Sequence, residues 1–371
     1  MRYDLAVVGA GILGLSCALA AARRNLNVVV IERSTRALGA SVRNFGLITV
    51  TGQDPESVWP LARRSRDIWL EVASRAGIPI LQRGVWIPAR CPEAAAVLEA
   101  FMRTDTAEGC SLLSAAAARA RCPQMETRNL QAVLWSPHDL RVESVVAIPT
   151  LAAWLAREFG VRFLWETAVR KVDTPTVHTS HGPVTASAVV ACPGDDLETL
   201  YPERIRAARI SRCTLQMLRL ESPGFSLPGT VMSDLSLVRY EGFASLPAAV
   251  ALRQRLLLEQ AECFEHGIHL LIAQSGDGSL VVGDSHHYGP APFIFAQERV
   301  SELLLEEFAA VTGQRAPRVR ERWTGTYCVA DRGPTFIEAP TPQTRLVMVT
   351  SGIGASTGFA IGEQVIADLF D

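Results

Sequence analysis

Three glycines near the N-terminus carry the first chemistry that can be read from this chain. Gly9-Ala10-Gly11-Ile12-Leu13-Gly14 spells GxGxxG. Gly9 permits a tight turn, Gly11 lets backbone approach a pyrophosphate, and Gly14 allows close packing of a helix on a strand. The helix start over Ile12 and Leu13 presents free amides to an anion. Glu32 lies 18 residues beyond Gly14, where a carboxylate can accept hydrogen bonds from an adenosine ribose and disfavours a 2′-phosphate. Arg33 follows it. The motif alone does not choose between FAD and NAD.

A second glycine turn lies near the other end of the chain. Gly352-Ile353-Gly354-Ala355-Ser356-Thr357 precedes a helical pattern over Phe359 to Phe370. Amides there, with the positive end of the helix, suit a negative charge on a bound ring. Other candidates point to a small anionic substrate. Arg239 with Tyr240 offers a cation and a phenol, and Arg43 with Asn44 offers a second polar pair. His286 and His287 follow a Gly-Asp-Ser turn, where an imidazole can hydrogen-bond a substrate or accept a proton. Tyr327 could line a pocket. Each has a plainer alternative: a surface or cofactor ion pair, a structural loop histidine, a core tyrosine. His266 and His269 share helix-like spacing, but no Glu or third ligand accompanies them, so no metal is expected.

These residues need elements to position them. Tyr3 to Val8 is a short apolar run, Leu13 to Arg24 is rich in Ala and Leu, and Val28 to Ile31 is β-branched. The order implies a right-handed parallel β-α-β unit. Arg36 to Gln53 reads as a long ordered loop. Helices are expected over 60–77, twice within 94–120, and over 151–159, 248–265 and 299–311. Strands are expected over 160–165, several times within 169–190, and over 209–220, 229–245 and 345–350, with a hairpin over 269–283 around Gly276-Asp277-Gly278.

The chain has 371 residues with 48% hydrophobic and 20% charged residues, which suits about two domains of roughly 150 residues. A formal net charge of −2 gives no reason to expect nucleic acid or an anionic membrane as partner. Eight cysteines with no CxxC pair suit reduced thiols in a cytoplasmic protein. The uncharged run Leu5 to Ala22 covers 18 residues, about the minimum for a membrane helix. Its regular glycines and the apolar strand that follows favour a buried strand and helix over a membrane span or signal peptide.

Around Gly39-Ala40-Ser41-Val42-Arg43-Asn44-Phe45-Gly46 the chain resembles the D-amino-acid oxidase, glycine oxidase and sarcosine oxidase superfamily. The resemblance spans most of the chain and implies FAD held at a domain interface beside Ser41, Asn44, Phe45 and Gly46. It also implies a backbone contact from Val169 on the adenine side and a second strand–glycine element at Cys192 and Gly194. The Trp usual after that glycine is replaced by Asp195. The implied fold is α/β: a Rossmann-like FAD-binding domain (1–80, 140–205 and 320–371) interleaved with a second domain on a mixed, largely antiparallel sheet with helices (81–139 and 206–319).

A narrower similarity is to bacterial FAD oxidoreductases linked to aminophosphonate breakdown. It rests on residues 40–46, Leu237-Val238-Arg239-Tyr240, Gly283-Asp284-Ser285-His286-His287-Tyr288, and Trp323-Thr324-Gly325-Thr326-Tyr327. It implies oxidation of 2-aminoethylphosphonate or its N-methyl derivative to phosphonoacetaldehyde, with a D-amino acid, glycine or sarcosine as the alternative substrate. Hydride removal by flavin requires no dedicated base, so no catalytic residue is assigned. The electron acceptor, O2 or another, is not readable. In the related sarcosine oxidases a cysteine tethers FAD; its position here is Thr326, two residues from Cys328, which implies non-covalent FAD. An NAD-linked dehydrogenase and a non-catalytic flavin-binding protein are the rival classes.

Overall fold

The computed structural model describes residues 2–124 and 129–371. The β-α-β opening forms as its composition dictates. The strand Arg2–Val8 runs into the helix Ile12–Ala22 and the strand Val28–Ile31, the two strands paired in parallel with Leu5 opposite Val28. Every residue of that helix is buried, which explains why the run carries no charge. Among the described residues, no helix is long and apolar enough to cross a membrane.

The fold is α/β, built on two sheets. The first has the order Thr335–Thr341, Thr344–Val349, Gly182–Ala191, Arg2–Val8, Val28–Ile31, Arg162–Leu164, with Thr176–Thr179 also paired to Gly182–Ala191 and Val169–Asp173 paired to Thr176–Thr179. Its central strands are parallel and apolar on both faces, one packed on helices such as Ile12–Ala22 and Gly354–Phe370, the other on a cluster that includes Val169, Val177 and Ile205. The final helix, Gly354–Phe370, lies against Ile12–Ala22. A Cβ on Gly362 would stand 2.7 Å from the Ser16 carbonyl carbon, so glycine sets the closeness of this crossing. Residues from the two chain ends thereby meet.

The second sheet has ten strands and is antiparallel except where Thr230–Met232 pairs with Ile80–Ala89. Its long members are Ile80–Ala89, Ala132–Val142, Ser211–Leu220 and Val319–Val329. Helices Pro92–Phe101, Ala249–Glu259 and Glu298–Thr312 contribute to one apolar core with it.

Several expectations need correction. The segment 229–245 is not β-rich: after the strand Thr230–Met232 it forms a 3-10 turn, Asp234–Val238, and a short helix, Glu241–Ala244. Tertiary packing overrides the β-branched pattern there, because Leu235, Leu237 and Phe243 all plug the core. The helix expected over 151–159 starts at Ser144 and passes through Pro149. The final helix begins at Gly354, so most of the second glycine turn is helical. His266 caps the short helix Ala261–Glu265 while His269 lies beyond it, so the two do not share a helix face. The last strands also include Thr335–Thr341, whose half-exposed pattern hid it from the sequence reading.

Candidate active site

A cavity of about 780 Å³ opens between the two sheets, within the range of small-molecule and cofactor sites. Gly11, Ile12, Leu13 and Gly14 line one end. The GxGxxG turn is tightly built: a Cβ on Gly14 would lie 1.9 Å from the Gly9 carbonyl oxygen, and Gly9 itself has φ +100° against the Cys192 carbonyl. Ser41 Oγ accepts a hydrogen bond from the Ile12 amide at 2.9 Å. The loop 40–46 is thus tied onto the helix start. Asn44 closes that loop, donating to the Ala40 carbonyl and accepting from the Gly46 amide and the Ser144 hydroxyl.

Gly352, Ile353, Gly354, Ala355 and Ser356 line the cavity from the other end of the chain. The first amides of that helix have no partner one turn back and face an anion well. Tyr327 packs against this turn, its ring 3.0 Å from where a Gly352 Cβ would be. Ser41, Arg43, Asn44, Phe45, Cys192 and Gly194 are also lining residues. Two sets of helix-start amides and a glycine cradle in one continuous cavity fit a dinucleotide such as FAD.

Other expected cofactor residues stand outside the cavity wall. The Glu32 carboxylate accepts from the Ala10 and Ser34 amides, which fixes it at the end of its strand beside the turn. Arg33 pairs with Asp196 at 2.6 Å. Val169 is buried at the start of its strand, Gly46 supports the loop, and the Thr357 hydroxyl donates to the Ile353 carbonyl.

The opposite wall gathers Arg239, Tyr240, His269, Asp284, His286, Tyr288 and Tyr327. Arg239 and Tyr240 sit at the corner between the 3-10 turn and the short helix. Arg239 Nη2 donates to the Tyr288 hydroxyl at 3.0 Å. The Arg43 side chain instead donates to the Leu38 carbonyl. His287 does not join the lining residues; its ring packs edge-on against Phe293.

Of these seven wall residues, His269, Asp284 and Tyr288 had no substrate or cofactor role assigned from the sequence. His269 and Asp284 flank the open end of the hairpin whose register pairs Leu271 with Gly283. The expected hairpin over 269–283 therefore held the signal that these positions meet. Burial pushes the Asp284 carboxyl up to about 7, against the pull of the Arg239 guanidinium. Burial first, and Arg239 second, hold His269 and His286 well below the ordinary imidazole range.

Comparison with known proteins agrees with this geometry. The family model for FAD dependent oxidoreductases (DAO) matches residues 4–369. Glycine oxidase from Bacillus cereus ATCC 14579 superposes with TM-score 0.77 at 19% identity, over 99% of this chain and 94% of that one. L-proline dehydrogenase from P. horikoshii gives 0.78 at 18%, over 99% and 93%. The FAD-bound L-alpha-glycerophosphate oxidase from Mycoplasma pneumoniae gives 0.74 at 16%, over 100% and 95%. A comparison with curated protein sequences finds no match. The chain belongs to the DAO family of FAD-dependent oxidoreductases and is an enzyme that uses FAD.

Proposed function

We propose that this enzyme oxidises a small amine carrying an anionic group, with 2-aminoethylphosphonate or its N-methyl derivative as the first candidate and phosphonoacetaldehyde as the product. The observation that carries the reading is Arg239 in the cavity wall among Tyr240, Tyr288 and Tyr327. One guanidinium beside the Tyr240 and Tyr288 hydroxyls offers more than one donor group to the three oxygens of a phosphonate, whereas a planar carboxylate is satisfied by a bidentate arginine. Several superposed proteins are named for amino-acid substrates, including glycine oxidase and L-amino acid deaminase, which supports an amine.

Gly11, Ile12, Gly354 and their neighbours along the glycine turns would hold FAD non-covalently, and it would supply a hydride acceptor for the carbon next to nitrogen. The protein's own contribution is positional. Arg239 anchors the anion, which fixes how far into the cavity the amine reaches. Tyr240, with its ring edge-on to His269, walls the far side and excludes water. The resulting imine is hydrolysed by water.

The test is an anaerobic panel of 2-aminoethylphosphonate, its N-methyl form, glycine, sarcosine and D-alanine, read as loss of flavin absorbance. Bleaching by the phosphonates first supports the proposal. Bleaching by the carboxylates alone sinks the phosphonate and leaves an amino acid oxidase.

A further inference from the structure

We propose that His269, Asp284 and His286 form a binding site for one divalent transition-metal ion in the wall of the same cavity. Their ligand atoms all lie within 4.8 Å of one another, and all three side chains are buried. The separations are informative. His269 Nε2 stands 3.4 Å and His286 Nε2 3.8 Å from the Asp284 carboxylate oxygens. Such gaps are long for charge-assisted hydrogen bonds, which run at about 2.7–2.9 Å. They are near the edge of a zinc coordination tetrahedron, about 3.3–3.6 Å for ligand distances of about 2.0–2.2 Å.

The hydrogen bonds behind the ligands point the same way. His286 Nδ1 lies 2.8 Å from the Gly267 carbonyl, an acceptor, so it carries the proton. Neutral His286 then turns an Nε2 lone pair toward the Asp284 carboxyl, two acceptors that a proton or a metal cation between them would satisfy. His269 Nδ1 is held by the Ser236 hydroxyl at 3.3 Å. Second partners of this kind orient metal-ligating imidazoles. Asp284 Oδ1 is buried and has no hydrogen-bond partner, a costly state that a bound cation removes.

Two imidazoles and one carboxylate leave coordination positions open, and these face a cavity that also holds Arg239. An ion there takes water or an anionic oxygen as a further ligand. Two neighbouring cations are held together best by an anion that meets both, which links this site to the anionic substrates proposed above. The metal site itself stands without that link. The spacing of His266 and His269 did not reveal it, because the partners of His269 come from beyond the hairpin.

The experiment uses untagged, FAD-loaded enzyme stripped with EDTA and desalted. Zn2+, Mn2+ and Co2+ are titrated in separately by calorimetry, followed by elemental analysis after gel filtration. One ion per chain is expected, with visible Co2+ bands beyond the flavin absorption. Asp284→Asn is expected to weaken binding by at least 10-fold, and a His269→Ala/His286→Ala double variant to abolish it, with flavin absorbance and Tm reporting that each variant is folded. No binding by the wild type, or unchanged stoichiometry in the folded double variant, overturns the proposal. Neither result depends on which amine reduces the flavin.

Discussion

The Arg239 guanidinium donates to the Tyr288 hydroxyl at 3.0 Å, joining the corner after the 3-10 turn to the strand that follows the hairpin. Arg239 is half-buried, while Tyr288 is 58% exposed at the cavity mouth. The phenol therefore fixes the position of the guanidinium in the cavity wall. Tyr288→Phe removes one hydrogen bond worth about 0.5–1.5 kcal/mol, so KM for the anionic amine is expected to rise by about 2–10-fold with kcat little changed. An unchanged KM in steady-state assays would show that Arg239 orients itself.

Arg239→Met leaves the pocket shape nearly intact and deletes its cation. Truncating one partner of a buried charge pair costs about 2–5 kcal/mol, so kcat/KM for the anionic amine should fall by about 30- to 5,000-fold. A neutral amine of the same length should lose far less. Equal loss for both substrates would place the anion elsewhere. Lysine at this position should rescue only partly, since an ammonium lacks the planar fork.

The two halves of the cavity differ in how openly the sequence declares them. Gly9, Gly14 and Glu32 were legible because their tasks are local: a positive φ, a close helix–strand approach and a carboxylate one strand away leave little choice of residue. Ser41 entered only through the family resemblance, and its bond to the Ile12 amide joins a loop and a helix start 29 residues apart. The substrate wall depends instead on pairings distant in sequence. Arg239 was identifiable by type, but its segment was misread as strand because Leu235, Leu237 and Phe243 alternate in the core much as strand residues do. Asp284 and Tyr288 gain meaning only when the hairpin folds them against Arg239 and His269. His287, next to His286 in sequence, turns away because successive residues of an extended chain face opposite sides.

Gly14→Ala tests the cofactor turn. An added Cβ would meet the Gly9 oxygen at 1.9 Å, far inside contact distance, and the obstacle is backbone. The helix Ile12–Ala22 must move outward, dragging the amide that bonds Ser41. The variant is expected to purify with little FAD, seen as a low ratio of 450 nm to 280 nm absorbance, and with a lower Tm. Full FAD occupancy would show that the turn tolerates the shift.

Cys328 lines the cavity but is poorly suited to tether the cofactor. It is buried, its Sγ lies 3.1 Å from the Gly194 carbonyl oxygen, and burial pushes its thiol up to about 12. Attachment to a flavin ring needs a thiolate. Acid precipitation should therefore release all the yellow chromophore into the supernatant, and Cys328→Ser should retain FAD. Colour left in the washed pellet would contradict non-covalent binding.

Asp139 gives a pH prediction that is separate from catalysis. It is fully buried, accepts from the Val50 amide at 3.1 Å and also from the Thr51 hydroxyl. Burial outweighs these bonds and raises its carboxyl to about 6, from 3.8 in the unfolded chain. A raised folded-state pKa means that the stabilisation is full below about 4 and is lost as pH rises through about 6. Two pH units correspond to about 3 kcal/mol at most. Asp139→Asn cannot ionise, so it lacks this dependence. The Tm of the wild type relative to the variant should fall between pH 4.5 and pH 7.5 as Asp139 ionises in the wild type, while the Thr51 bond is kept in both. Parallel Tm curves across that range would show that Asp139 keeps one protonation state throughout.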